Sequence, residues 1–255
     1  MILFLAGTSD ARLLASKIKE AGFPLLATVV TENAAIELRK VGLEVHIGRL
    51  NKEDFVSMIN ERGFQGIVDA SHPFAEEASK NALTAAKTVG VTYIRYERET
   101  QVHSGKGITF VTSYAEAANK AFENKGVIML TTGSKTLQIF TEKLLNKPNI
   151  QLVARMLPRK DNLEKCEELG FPQRNIVAIQ GPFTKEVNLA LYKQFGVTTM
   201  ITKESGKVGS VDEKIDAALE LGIEIILIKR PSINYEKNKC SSFAEVVEQL
   251  KRLKK

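Results

Sequence analysis

The sequence predicts an α/β protein of two Rossmann-like domains, each a parallel sheet covered by helices, with an interdomain cleft. Three observations predict it. Apolar runs of strand length alternate with helical patterns along the chain. Nearly every such run ends in small or basic residues. The alternation breaks once, over the polar stretch Glu97 to Gly107, and then resumes. At 255 residues the chain is long enough for two modest domains, assigned as 1–99 and 100–255 with the boundary in that polar stretch.

Ile2 to Ala6 is the first apolar run, and Gly7-Thr8-Ser9 ends it, with Thr8 or Ser9 placed to cap the helix that follows. That helix carries Leu14, Ile18 and Ala21 on one face and stops at Gly22-Phe23-Pro24. Strands follow at Leu25–Val30 and Glu44–Ile47, then a helix marked by Phe55, Met58 and Ile59. The run from Ile67 to Ala70 is a fourth strand, the alanine stripe from Ala78 to Ala86 a helix, and Thr92 to Arg95 a fifth strand. Beyond the polar stretch, strands are expected at Ile108–Val111, Val127–Thr131, Ile150–Val153, Ile176–Ile179, Thr199–Ile201 and Ile225–Ile228. Phe243, Val246, Val247, Leu250 and Leu253 give the last helix one apolar face.

Composition narrows the function. Two cysteines and three histidines, dispersed along the chain, offer neither a disulfide framework nor metal-ligand spacing. The cysteine usage fits a reducing cytoplasm, and the apolar runs are too short for a membrane span. The start of the chain reads as a strand rather than a signal peptide. The net charge is +6, but basic and acidic residues are interspersed and there is no Trp, which argues against a nucleic-acid partner. A small anionic ligand accounts for the same excess.

In open α/β sheets ligands lie beyond the carboxyl ends of the strands. The residues there are Gly7-Thr8-Ser9, Glu32, Ser71-His72-Pro73, Thr132-Gly133, Arg155, Gly181-Pro182-Phe183, Lys203, Ser205-Gly206 and Arg230. Glycines, hydroxyls and helix starts suit phosphate; the basic residues supply counter-charge. Glu32 follows the second strand, where an acidic residue of a dinucleotide fold takes the ribose hydroxyls. Each feature alone has a plainer reading: a strand–turn–cap at Gly7, a solvated Glu32, a helix-capping Ser71 with His72 lying against the helix, an ordinary exposed Lys203. Gly7-Thr8-Ser9 lacks the later glycines of a dinucleotide fingerprint. No Gly-x-Ser-x-Gly elbow accompanies the Ser71-His72 pair.

Taken together and in order, Gly7-Thr8-Ser9-Asp10-Ala11-Arg12, Asp69-Ala70-Ser71-His72-Pro73-Phe74-Ala75, Gly181-Pro182-Phe183, Thr202-Lys203-Glu204-Ser205-Gly206 and Arg230-Pro231 resemble the precorrin-6A reductase family of cobalamin biosynthesis. The resemblance spans nearly the whole chain. It implies reduction of one double bond of precorrin-6A, or its cobalt-containing counterpart, to the 6B form by NADPH or NADH. The cofactor would then lie on Gly7, Thr8, Ser9, Glu32, Ser71, Thr132, Gly133, Gly181, Pro182 and Phe183. The polycarboxylate tetrapyrrole would pair with Arg155, Arg159, Lys203, Ser205, Gly206 and Arg230. His72 is the first candidate proton donor and Lys203 the second, with no protein metal site required. If Glu32 faces the ribose it favours NADH over a 2′-phosphorylated cofactor. Two other readings stay open: an S-adenosylmethionine methyltransferase, and a non-catalytic two-domain binding protein, the latter disfavoured because one linker is seen where two hinge crossings are expected. The sequence does not give the oligomeric state.

Overall fold

A computed structural model describes residues 1–98, 107–204, 211–235 and 238–253. The chain divides into two units, Met1–Glu99 with Pro231–Lys255, and Thr100–Arg230. The first holds β1 (Ile2–Ala6), α1 (Ser9–Glu20), β2 (Leu25–Val29), α2 (Glu32–Arg39), β3 (Glu44–Ile47), α3 (Lys52–Arg62), β4 (Gly66–Ala70), α4 (Glu76–Val89) and β5 (Thr92–Tyr96). The second holds β6 (Ile108–Val111), α5 (Tyr114–Asn124), β7 (Gly126–Leu130), α6 (Leu137–Leu144), β8 (Ile150–Met156), α7 (Lys160–Glu168), β9 (Ile176–Ala178), α8 (Lys185–Phe195), β10 (Thr199–Lys203), α9 (Val211–Glu220) and β11 (Glu224–Ile228). The chain then returns to the first unit as β12 (Lys239–Cys240) and α10 (Phe243–Arg252).

Each unit is built on a six-stranded parallel sheet, ordered β12-β5-β4-β1-β2-β3 in the first and β6-β11-β10-β7-β8-β9 in the second. The central strands are apolar along their length because helices cover both faces of such a sheet; β2 and β4 are buried throughout. Phe4, Leu14, Ile18, Val68 and Ile94 lie in the core on one side of the first sheet, and Leu3, Leu5, Phe55 and Ile67 in that on the other. Met129, Val153, Met200, Ile225 and Leu227 belong to a core of the second unit. Side-chain caps begin several helices where the sequence offers Ser, Thr or Asn: Thr8 for α1, Asn51 for α3, Ser113 for α5 and Ser242 for α10.

The expected boundary at 99/100 holds for the outward passage, but assigning all of 100–255 to the second unit does not. Residues from Pro231 onward join the first. β12 extends its sheet, with Lys239 opposite Arg95 and Cys240 opposite Tyr96. Val246 and Leu250 of α10 complete its core, so the last helix is held where its apolar stripe finds a partner. The chain thus passes between the units twice, which removes the single-crossing objection to a two-domain binding protein. No helix of the described residues is long and apolar enough to cross a membrane.

Candidate active site

In each sheet the connections reverse direction beside the first strand of the βα series, and this switch point is where a parallel sheet opens a crevice at its carboxyl edge. In the first unit it lies between β1 and β4, paired in register from Ile2 opposite Gly66 to Ala6 opposite Ala70. The two turns that follow therefore meet. A Cβ on Gly7 would lie 2.8 Å from the backbone nitrogen of His72 and 3.1 Å from Ser71 Cα. The glycine is required there by close approach of the backbone.

A buried polar network fixes the β4 turn from below. Asp69 and Arg95 are both 0% exposed, with Arg95 Nη1 2.9 Å from Asp69 Oδ1. The Tyr93 hydroxyl donates to Asp69 Oδ2 at 2.6 Å, and the Ser71 backbone N–H donates to Oδ1 at 2.9 Å. Arg95 also donates to Ser71 Oγ at 3.1 Å and reaches Glu97 at 3.3 Å. Burial alone would raise the Asp69 carboxyl, but Arg95 and hydrogen bonds from Ser71, Ser79 and Tyr93 hold it below its ordinary value. Ser71 is thus a member of this network. It does not cap a helix, because α4 begins only at Glu76, after Ala75. Its neighbour His72 accepts at Nδ1 from the Phe74 backbone N–H at 3.2 Å, which leaves the proton of a neutral imidazole on Nε2. Asp10, in the first turn of α1, is buried against the Tyr96 hydroxyl and pairs with Arg98.

Thr8 caps α1 by accepting from the Ala11 N–H, and Ser9 is the first residue of the helix. Glu32 opens α2, exposed, with its carboxylate 2.6 Å from Arg39 Nη1. Its charge is therefore locally offset, which weakens the expectation that it repels a 2′-phosphate.

In the second unit the switch point lies between β7 and β10. Thr132 follows β7, buried, and its Oγ1 has no hydrogen-bond partner; Gly133 takes a φ of +81°, open to glycine without strain. Arg155, near the end of β8, is 6% exposed; its Nη1 donates to Asn188 Oδ1 at 2.7 Å and its guanidinium lies 4.5 Å from the Phe183 ring centre. Phe183 follows Gly181-Pro182, whose peptide bond is cis. Burial lowers the Arg155 pKa. Lys203 ends β10, its pKa lowered by burial and then by Lys135. Arg230 takes its place after β11 by donating through its backbone N–H to Glu204 Oε2 at 3.1 Å and through Nε to the Glu204 carbonyl at 3.3 Å.

Of the expected substrate-binding residues, Arg159 is exposed and forked onto Asp161 at 2.7 and 2.8 Å, so its charge is already matched. Ser205 and Gly206 lie outside the described residues. Sequence reasoning passed over Arg95, Tyr93, Asn188 and Lys214. The available signal was a charge inside an apolar pattern: Arg95 within Thr92-Tyr93-Ile94-Arg95-Tyr96, and Lys214 beside Ile215 on the inward side of α9.

The match that decides the family runs along residues 1–251, to the model described as precorrin-6x reductase CbiJ/CobK. The chain belongs to the precorrin-6x reductase family. A cobalt-precorrin-6A reductase of Priestia megaterium is 64% identical over 250 residues, 98% of each chain. A cobalt-precorrin-6A reductase of Methanothermobacter thermautotrophicus is 36% identical, over 92% of this chain and 78% of its own length. One of Salmonella typhimurium is 36% identical, over 91% of this chain and 88% of its own. A solved structure of CobK precorrin-6A reductase matches with a TM-score of 0.80 at 24% identity, covering 99% of this chain and 96% of that one. The precorrin-6x reductase fold thus accounts for both parallel sheets. Membership of this family also sets aside the methyltransferase and the non-catalytic reading.

Proposed function

We propose that the protein reduces one double bond of cobalt-precorrin-6A to the 6B form, in cobalamin biosynthesis, with NADPH as reductant. The observation that carries this is the 64% identity to a cobalt-precorrin-6A reductase along 98% of both chains. The chemistry of the strand ends supports it. The substrate is a ring bearing many carboxylates, and Arg155, Lys203 and Arg230 bring positive charge to the carboxyl ends of β8, β10 and β11.

The nicotinamide supplies a hydride, two electrons and one hydrogen, to one carbon of the double bond, and a proton completes the other. Gly7, the start of α1 and the Ser71-His72 turn fit a dinucleotide: two backbones approach closely at the switch point, beside a helix N-terminus. The second switch point adds Thr132, whose buried hydroxyl has hydrogen-bonding capacity to spare, with Gly133 beside it. Arg155 orients the ring through a carboxylate, while Asn188 and Phe183 hold the guanidinium. His72 delivers the proton from Nε2, the atom left protonated by the Phe74 contact. Lys203, with its lowered pKa, is the second donor. The Glu32–Arg39 pair leaves the start of α2 close to neutral and compatible with the 2′-phosphate of NADPH.

Anaerobic turnover with cobalt-precorrin-6A, followed by loss of reduced nicotinamide, tests the reading. No oxidation of either NADPH or NADH, while a cobalt-precorrin-6A reductase run in parallel turns over, refutes it. Near-normal turnover of His72→Ala with an unchanged pH profile removes His72 as donor. An unchanged NADPH/NADH preference in Glu32→Ser removes any role for Glu32 in cofactor choice.

A further inference from the structure

Lys214 has no part in the chemistry derived above, and its surroundings are unusual. It sits on α9 and is 9% exposed. Its Nζ has one hydrogen-bond partner, the neutral Thr202 hydroxyl at 3.4 Å, and Thr202 is itself fully buried. The groups that face it are basic or neutral: Arg155 from β8, Lys203 from β10, and Tyr192 from α8, whose hydroxyl donates to the Lys214 carbonyl at 3.2 Å. Among the described residues no carboxylate pairs with Lys214 or with Arg155, which is 6% exposed. Two buried cations beside a third, without an anion, is an arrangement that costs folding energy and that an apolar residue at 214 would avoid. It becomes favourable when an anion enters and is stripped of water between them.

We propose that Lys214, Arg155 and Lys203 form a buried subsite for a single oxyanion, a carboxylate or a phosphate. Lys214 is then a further ligand-positioning residue, and its protonation is coupled to binding. Burial, then Arg155 and Lys203, lower its pKa to about 7, so above neutral pH the ammonium is largely neutral until an oxyanion arrives. Anion binding therefore draws in a proton, and affinity falls by about tenfold per pH unit above that value. A carboxylate of the macrocycle and the 2′-phosphate of the cofactor share this chemistry. Naming either as the occupant rests on the reductase reading; the subsite itself does not.

Calorimetry of the full chain at pH ~8, in two buffers of different ionisation enthalpy, tests it with tricarballylate as carboxylate probe and adenosine 2′-monophosphate as phosphate probe. Uptake approaching one proton per anion bound is expected in the wild type. In Lys214→Met, which replaces the ammonium by an apolar chain of similar length, that uptake disappears. Lys214→Arg, which keeps the charge but does not titrate in this range, binds without uptake. Uptake with tricarballylate assigns the subsite to the substrate; uptake with the phosphate probe assigns it to the cofactor. Uptake with neither probe, or uptake that persists in Lys214→Met, overturns the proposal. Turnover of cobalt-precorrin-6A without probe-linked uptake would defeat the subsite and leave the reductase reading intact; uptake without turnover would do the reverse.

Discussion

Arg95→Met removes a buried cation and strands its partner. Asp69 is 0% exposed and would keep two donors, the Tyr93 hydroxyl at 2.6 Å and the Ser71 N–H at 2.9 Å. It would lose the guanidinium at 2.9 Å, while Ser71 Oγ loses its donor at 3.1 Å and Glu97 its contact at 3.3 Å. Breaking such a pair costs about 3–5 kcal/mol, and the surviving donors place the loss toward the lower end, ~3 kcal/mol. For a chain of this size that is a fall in Tm of roughly 6–12 °C. The variant also has a pH signature. Without Arg95, burial raises the Asp69 pKa above its unfolded value, so its penalty is full at neutral pH and fades as pH falls through the raised pKa. The gap between wild type and Arg95→Met therefore narrows on acidification, and Asp69→Asn added to Arg95→Met recovers part of the loss at neutral pH. Thermal unfolding followed by circular dichroism across that pH range reads all three. A Tm within about 1 °C of wild type, or a gap that does not change with pH, would refute the account of the network.

Three further outcomes are expected. Gly7→Ala places a methyl 2.8 Å from the His72 nitrogen, backbone that cannot swing away, so one turn must move; a loss of about 1–3 kcal/mol should appear in urea unfolding together with reduced turnover, and full activity would mean that the turns give way freely. Lys214 has a folded pKa of about 7 against 10.5 unfolded, so the unfolded chain binds more protons between these values and wild-type stability rises with pH across the window. Lys214→Met should then be more stable at pH 7 by up to about 5 kcal/mol, converging on wild type toward pH 10 in paired urea titrations; a constant difference would contradict a titrating Lys214. Thr132→Val removes a buried hydroxyl with no partner and should be neutral or slightly stabilising in Tm, while weakening nicotinamide-cofactor affinity if that hydroxyl serves the ligand, as titration calorimetry would show.

Much of the fold was legible because burial writes itself into parallel strands as continuous apolar runs, and the switch-point turns as small residues after them. Gly7, His72, Arg155 and Lys203 could be picked out on that basis. What escaped has a physical reason in each case. β12 is only two residues, Lys239-Cys240, too short to carry a pattern, and its pairing with β5 spans almost the whole sequence. The apolar face of α10 shows that the helix is buried but not against which sheet. Arg95 and Lys214 are charged residues in interior positions, so a rule that charges face water passes over them. Ser71 was correctly placed at a strand end, yet its hydroxyl is held by Arg95 from an adjacent strand, a contact that no local spacing encodes.

The return of the chain to its first sheet sets an order for assembly on the ribosome. Thr100–Arg230 is contiguous and can close its sheet as soon as it emerges. The unit begun by Met1, though synthesised first, must wait for β12 and α10, an interval of roughly 10–30 s at ordinary translation rates. Until then the β5 edge lacks its neighbour, and the core surface that Val246 and Leu250 cover is bare. An open parallel edge of this kind invites pairing with other chains. Chains truncated after Arg230 should therefore collect in inclusion bodies even though the second sheet is complete, and supplying residues 231–255 in trans should draw part of them back into solution.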